Sequence, residues 1–273
     1  MSITANSASS RSIKGLAREQ LRSLYHLALY VRHLKNGPAI WRHRNAPAAL
    51  PPLEFRSGMT WHHSPHDEPL LIMRELYGQR LYQQLDLAPG AHVVDIGANI
   101  GAVTMFWAQN QPGVHFHCYE PNPQAFATLE RNIAANGMAG RVTLHEQGVS
   151  GQAGLIELWV DVPTAHSTAF GESPFPGGRR VSAPVVSLDE VWARLGQKQI
   201  AMLKIDTEGG EVATLEGASS AVLAAVDHAV IEYHDNLVPG AYARCRAVLV
   251  KAGFRCSVFR HPWQEGVITA TRR

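Results

Sequence analysis

The sequence predicts an α/β protein: a doubly wound, mostly parallel sheet with an antiparallel C-terminal strand, preceded by an N-terminal helical extension. Three observations predict it. From His92 onward, short β-branched runs alternate with stretches of helical periodicity, the pattern of a parallel sheet covered on both faces. The first run, His92–Ile96, breaks at a glycine turn, Gly97 to Gly101, that opens a helix. Successive runs also end in acids: Asp95, Glu120, Asp206, and Glu232 with His234. In an open parallel sheet the carboxyl ends of the strands are where ligands bind.

The elements follow in order. Leu16 to Leu34 carries apolar residues at positions 21, 24, 25, 28, 29 and 31, with Arg18, Arg22, Arg32 and Lys35 off that stripe. This is a basic amphipathic helix that either packs on the main domain or touches an anionic membrane surface or partner. Pro38 to Pro52 reads as a linker, dividing a basic extension (1–52) from the main domain (53–273). His62, His63 and His66 fall in a loop split by Pro65, a solvated segment or pocket rim. Asp67 is placed to cap a helix over Glu68–Leu85. Strands are then expected at His92–Ile96, His115–Glu120, Val142–Glu146, Val181–Ser187, Ala201–Ile205 and His228–His234, with Leu155–Val160 as an extra extended segment. Helices fall at Ala102–Asn110, Pro123–Asn136, Leu188–Leu195, from Glu211 through about Ala225, and at Gly240–Ala252. Phe254–Phe259 and Val267–Thr271 form a closing hairpin. Asp161 to Arg180 lacks apolar periodicity and is a candidate substrate loop.

Composition restricts the function classes. Apolar residues make up 45% and charged residues 18%, values of a globular chain. Residues 1–50 hold eight Lys/Arg and one acid, while the rest holds 17 Lys/Arg against 22 acids. The main domain is therefore acidic and lacks a basic stripe interleaved with aromatics, which argues against nucleic acid as partner. Three cysteines without paired spacing argue against a disulfide framework or a zinc knuckle. With no leader-like or spanning apolar run, the reading is a cytoplasmic protein whose basic helix can meet the inner face of the membrane.

The glycine turn runs Asp95-x-Gly97-x-x-x-Gly101. A dinucleotide fingerprint would need glycine at Asn99 and Ala102, so the backbone is not shaped for a pyrophosphate. S-adenosyl-L-methionine, an adenosyl group on a sulfonium tail, suits the turn better than a nicotinamide dinucleotide. Gly97, Ala98, Asn99 and Gly101 then cradle the cofactor, and Asn99 can meet its amino-acid end. Glu120, nineteen residues after Gly101, is spaced to accept hydrogen bonds from both ribose hydroxyls. Gln147 and Gly148, after the third strand, lie where the adenine edge is expected. The run Leu203 to Glu211, L-K-I-D-T-E-G-G-E, packs three carboxylates around two glycines. Asp206 and Glu208 are the candidates to face substrate and methyl group, and Glu211 suits a helix N-terminus.

These motifs together, V-V-D-I-G-A-N-I-G, Y-E-P-N-P at 119–123, L-K-I-D-T-E-G-G-E and I-E-Y-H at 231–234, resemble the FkbM family of S-adenosylmethionine-dependent methyltransferases over about Glu68 to Thr271. The resemblance implies a class I methyltransferase (Rossmann-like) fold and O-methylation of a hydroxyl on a sugar, glycan or natural product. It implies cofactor contacts from Asp95, Gly97, Asn99, Gly101 and Glu120, with Asp206 and Glu208 beside the active centre. A protonated hydroxyl is a poor nucleophile, so a base is expected; His234, at a strand end and able to titrate near neutrality, is the candidate. A divalent cation held by some of Asp206, Glu208, Glu232 and His234 is the less favoured alternative. Two further classes stay open: a non-catalytic cofactor-binding or scaffold protein, and a nicotinamide-dependent oxidoreductase.

Overall fold

The computed structural model describes residues 13–79, 82, 86–160, 177–260 and 264–272. Helix α1 (Ile13–His33) turns Leu29 and Tyr30 inward. With Leu34 and Ile40 they join a cluster containing Trp61, Met105 and Phe116, so this helix packs on the sheet domain. Leu21, Leu24, Tyr25 and Val31 remain exposed on it. Segment 38–52 is not the open linker expected. Pro38 starts helix α2 (Gly37–His43), where its missing N–H is harmless in the first turn, and Ile40 is buried beneath.

Strands β1 (Leu53–Glu54) and β2 (Thr60–Trp61) pair antiparallel. Asp67 caps no helix; its carboxylate accepts from the Ser64 N–H at 2.6 Å and closes the loop instead. Helix α3 (Pro69–Met73) is shorter than expected and runs on as a wider π-turn over Arg74–Gln79. Much of the remaining expected helix, 80–81 and 83–85, lies outside the described residues.

The main sheet then builds as the alternation predicts: β3 (His92–Ile96), α4 (Ala102–Ala108), β4 (His115–Tyr119), α5 (Pro123–Ala135) and β5 (Val142–His145). A second, three-stranded sheet follows from β6 (Gly148–Ser150), β7 (Gly154–Val160) and β8 (Arg179–Ser187), in the order β6-β8-β7. The extra extended segment thus finds its partner in β8, antiparallel. Most of the candidate substrate loop, 161–176, lies outside the described residues. Helix α6 (Leu188–Arg194) opens on a capping box in which Ser187 and Glu190 satisfy each other's backbone N–H. Strand β9 (Ile200–Ile205) follows, then two helices where one was expected, α7 (Glu211–Gly217) and α8 (Ser220–Ala224). The break comes where Ser219 starts a new helix by accepting from the Val222 N–H at 3.2 Å. Strand β10 (Val226–His234), α9 (Ala241–Lys251), β11 (Phe254–Arg260) and β12 (Glu265–Arg272) complete the chain.

The seven strands lie in the order β11-β12-β10-β9-β3-β4-β5, with β12 antiparallel to both neighbours. Successive side chains of a central strand face opposite layers, and both layers are apolar. Val93 joins the cluster under α1 and α5, Val94 the one under α6 to α9, and both are 0% exposed. Each such burial contributes roughly 1.5–3 kcal/mol. Strand order reverses between β3 and β9: the chain winds outward through β4 and β5, then returns to add β9 and β10 on the other side. Their carboxyl ends therefore diverge and leave a crevice.

Candidate active site

That crevice is a cavity of about 540 Å³. Gly97, Ala98, Asn99, Glu120 and Gly148 line one part of it, and Asp206, Glu208, Glu232 and His234 another. Val149, Ile156, Leu158 and Val185 of the small sheet supply apolar wall.

The glycine turn is stitched to both neighbouring strands. The N–H groups of Gly97 and Ala98 donate to the Tyr119 carbonyl at 2.9 and 3.0 Å, and the Asp206 N–H donates to the Ile96 carbonyl at 3.1 Å. Gly97 has φ +75°, and a Cβ there would fall 1.7 Å from the Asp206 carbonyl oxygen. Only glycine lets the two strand ends approach this closely. Asn99 donates its backbone N–H to Glu120 Oε2 at 2.8 Å. Its side-chain oxygen is buried with no hydrogen-bond partner among the described residues, an acceptor waiting for a donor such as an ammonium group. Glu120 is further held by the Asn122 N–H on Oε1 at 2.8 Å, and each oxygen keeps acceptor capacity toward the cavity. Burial pushes its carboxyl up to about 7; the N–H groups of Asn122 and Asn99 and the Lys204 ammonium pull down, and Asp95 pushes up.

Three expected cofactor contacts are placed elsewhere. Asp95 is 0% exposed behind the cavity wall, where it accepts from Thr104 Oγ1 at 2.7 Å and pairs with Lys204 Nζ at 3.1 Å. Its charge anchors the turn from behind. Gly101 starts α4 at φ +83°, and a Cβ there would press on Leu129 at 2.6 Å, so it serves packing. Gln147 turns outward to accept from Arg194 at 2.7 Å, leaving Gly148 as the lining residue of that pair. His62, His63 and His66 do not line the cavity either.

Lys204 is the residue sequence reasoning missed. It is 1% exposed, donates to the Gly97 carbonyl at 2.7 Å, and lies 3.1 Å from Asp95 and 3.4 Å from Asp206. Burial works against its charge, but Asp95 and Asp206 outweigh that and hold its pKa above the usual lysine value. The signal was present: a lone cation inside the apolar strand A-M-L-K-I is costly unless paired.

The acidic part is organised by Glu211. Fully buried at the start of α7, it accepts from the Gly209 N–H at 2.9 Å and Thr207 Oγ1 at 3.2 Å on one oxygen. The other oxygen takes both the backbone N–H of His234 at 2.9 Å and its Nδ1–H at 3.1 Å. The expected helix-capping role is thus joined by a second, fixing the His234 ring so that Nε2 points toward Glu208 Oε2, 3.7 Å away. Asp206, Glu208 and His234 each offer a ligand atom within 4.8 Å of the others. Glu232 stands outside that group and accepts from Tyr82 Oη at 2.9 Å.

These neighbours also bias the charge of the ring. Burial lowers the pKa of the His234 imidazole, but the Glu211 hydrogen bond and the charges of Glu208, Glu211 and Asp206 hold it well above 6.5. Burial likewise pushes Glu75 up to about 7 and Glu208 up to about 8, with Asp206 adding to both and His234 pulling Glu208 back.

Known proteins resemble this chain in sequence and in fold. The sequence profile of the Methyltransferase FkbM domain matches residues 95–256. The chain is 31% identical over 244 residues to the 31-O-demethyl-FK506 methyltransferase FkbM of Streptomyces tacrolimicus, covering 78% of this chain and 92% of that protein. It is 24% identical over 174 residues to the 2-O-methyltransferase NoeI of Sinorhizobium fredii, covering 59% and 70%. The solved methyltransferase FkbM from Methylobacillus flagellatus KT shares the fold, with a TM-score of 0.50 and 15% identity over 92% of this chain and 60% of that one. A profile running from the glycine turn into β11, together with the Streptomyces relative, overrules the oxidoreductase alternative: this chain, with its mostly parallel α/β fold, belongs to the FkbM family of S-adenosylmethionine-dependent methyltransferases.

Proposed function

We propose that the protein O-methylates a hydroxyl of a small natural product or of a sugar or glycan. The observation that carries the reading is that a nucleoside-type cradle and a carboxylate–imidazole cluster line one cavity. The cradle fits the cofactor: Asn99 presents an orphaned acceptor, Glu120 a held carboxylate, and Gly97 a backbone surface free of any Cβ. When bound, S-adenosylmethionine supplies an electrophilic methyl group on a sulfonium. Ala98, Asn99, Glu120 and Gly148 hold it, while Asp206, Glu208 and His234 orient the acceptor hydroxyl and withdraw its proton. Much of the acceleration then comes from fixing the acceptor oxygen in line with the methyl carbon. Val149, Ile156, Leu158 and Val185 exclude water from that line. Both the Streptomyces and the Sinorhizobium relatives bear names of O-methyltransferases acting on defined positions, which supports a hydroxyl acceptor.

The direct test is methyl transfer from labelled cofactor to fractionated host metabolites and glycans, with the product identified by mass spectrometry. Calorimetry with no cofactor binding, or binding without transfer to any fraction, would remove this reading in favour of a scaffold role. Cofactor affinity should also depend on pH through Glu120. Ribose hydroxyls need an ionised acceptor, so affinity is expected to rise as pH passes upward through about 7 and to level off above 8. Glu120→Gln should bind at least about tenfold more weakly and lose that dependence. An unchanged slope in the variant would assign the titration to another group.

We further propose that α1 rests on an anionic lipid surface. Its exposed Leu21, Leu24, Tyr25 and Val31 accompany exposed Arg18, Arg22 and Arg32, and no described helix is long and apolar enough to cross a membrane. The protein should co-float with vesicles containing phosphatidylserine and not with neutral ones, and Leu24→Glu should abolish flotation. Equal flotation with both vesicle types would contradict the charge-assisted mode.

A further inference from the structure

We infer that Asp206, Glu208 and His234 form a binding site for one divalent cation of the hard class, magnesium or manganese. The use of that cation in catalysis rests on the methyl-transfer reading, but the site itself does not. The three side chains come from the carboxyl ends of adjacent parallel strands, Asp206 and Glu208 just after β9 and His234 as the last residue of β10. Their ligand atoms lie within 4.8 Å of one another. Atoms about 2.1 Å from a common cation sit about 3–4 Å apart, so the group needs to draw in only slightly.

The arrangement of His234 points independently to a metal. Its imidazole is 3% exposed and faces the cavity. Nδ1 is tied to Glu211, which leaves Nε2 as the presented atom. The nearest carboxylate oxygen to Nε2, of Glu208, stands at 3.7 Å, beyond hydrogen-bond reach. A histidine whose second nitrogen is pinned by a buried carboxylate is the usual form of a metal-ligating histidine. Glu211 also holds the backbone N–H of the same residue, so strand end and ring are fixed by one oxygen.

The donor set points the same way. Two carboxylates and one nitrogen favour magnesium or manganese over a thiophilic metal. An acceptor ammonium would suit the carboxylates alone and gives no reason for a pinned imidazole. Bound there, the cation would take the acceptor hydroxyl as a further ligand and lower its pKa.

The test uses the full chain, stripped of metal, and Mn²⁺ alone, without cofactor or acceptor. Electron paramagnetic resonance and calorimetry should show one saturable Mn²⁺ per chain, with a nitrogen coupling in the double-resonance spectrum. His234→Ala should remove that coupling and weaken Mn²⁺ by at least about tenfold, and Glu208→Gln should weaken it similarly with the coupling retained. Glu211→Gln, a positioning change, should cost about 10–100-fold in affinity. The thermal unfolding midpoint of each variant, measured by circular dichroism, reports whether it is folded. Absence of saturable Mn²⁺ binding to the wild type, or equal affinity in folded His234→Ala and Glu208→Gln, would overturn the site. Mn²⁺ binding without cofactor binding would instead overturn the methyl-transfer reading and leave the cation site standing.

Discussion

Lys204→Met is expected to destabilise the folded protein by about 3–5 kcal/mol, because it removes one partner of a buried ion pair and leaves the other uncompensated. Asp95 is 0% exposed, its nearest cation is Lys204 at 3.1 Å, and the Thr104 hydroxyl alone cannot neutralise it. Methionine fills similar volume, so the loss measures charge and hydrogen bonding more than a cavity. In urea, the unfolding midpoint should fall with little change in slope. Adding Asp95→Asn should recover part of the loss, since the orphaned charge is then gone. Cofactor affinity should fall too, because the Gly97 carbonyl loses the ammonium that holds the turn. A single variant within about 1 kcal/mol of wild type would show that water or proton uptake already satisfies Asp95.

The second large effect is expected at His234. His234→Ala should lower kcat by about 10²–10⁴-fold, the range for removing a group that assists proton removal at the acceptor. Cofactor affinity should stay within about twofold. The separation follows from topology: the glycine turn and Glu120 hang from β3 and β4, whereas His234 ends β10 on the far side of β9. The donor cradle therefore does not need the imidazole. Single-turnover measurement at saturating cofactor separates the two contributions. A fall in cofactor affinity matching the fall in turnover would mean that His234 shapes the donor half instead.

Much of the fold was legible because buried parallel strands leave a strong local trace. Val93, Val94 and Ile96 make β3 apolar on both faces, interrupted at Asp95, since both faces are covered. The glycines after it mark a turn whose reason is backbone proximity. The helix after β9 was read as one because Ala218 and Ser219 interrupt little of the apolar pattern, and a side-chain cap decides the break. The linker reading failed at Pro38 because proline marks a helix start as readily as an irregular stretch. In the site, Glu120 and Gly97 could be placed from spacing, whereas Asp95, Gly101 and Gln147 face Lys204, packing or Arg194. Their partners Lys204, Leu129 and Arg194 come from distant elements, which spacing within one turn does not show.

By itself the sequence determined the alternating layers, the strand-end acids and the glycine turn unsuited to a pyrophosphate, because each is written in local period, spacing and residue type. Only the tertiary structure decided which acids share a lysine or a histidine. Asp95 meets Lys204 because β3 and β9 pair in that register, although more than a hundred residues separate them. Glu211 meets His234 because α7 begins beside the end of β10. Electrostatic energy depends on distance and burial, which chain order does not encode. Folding brings Asp206, Glu208 and His234 from two strand ends into one cluster on the cavity wall.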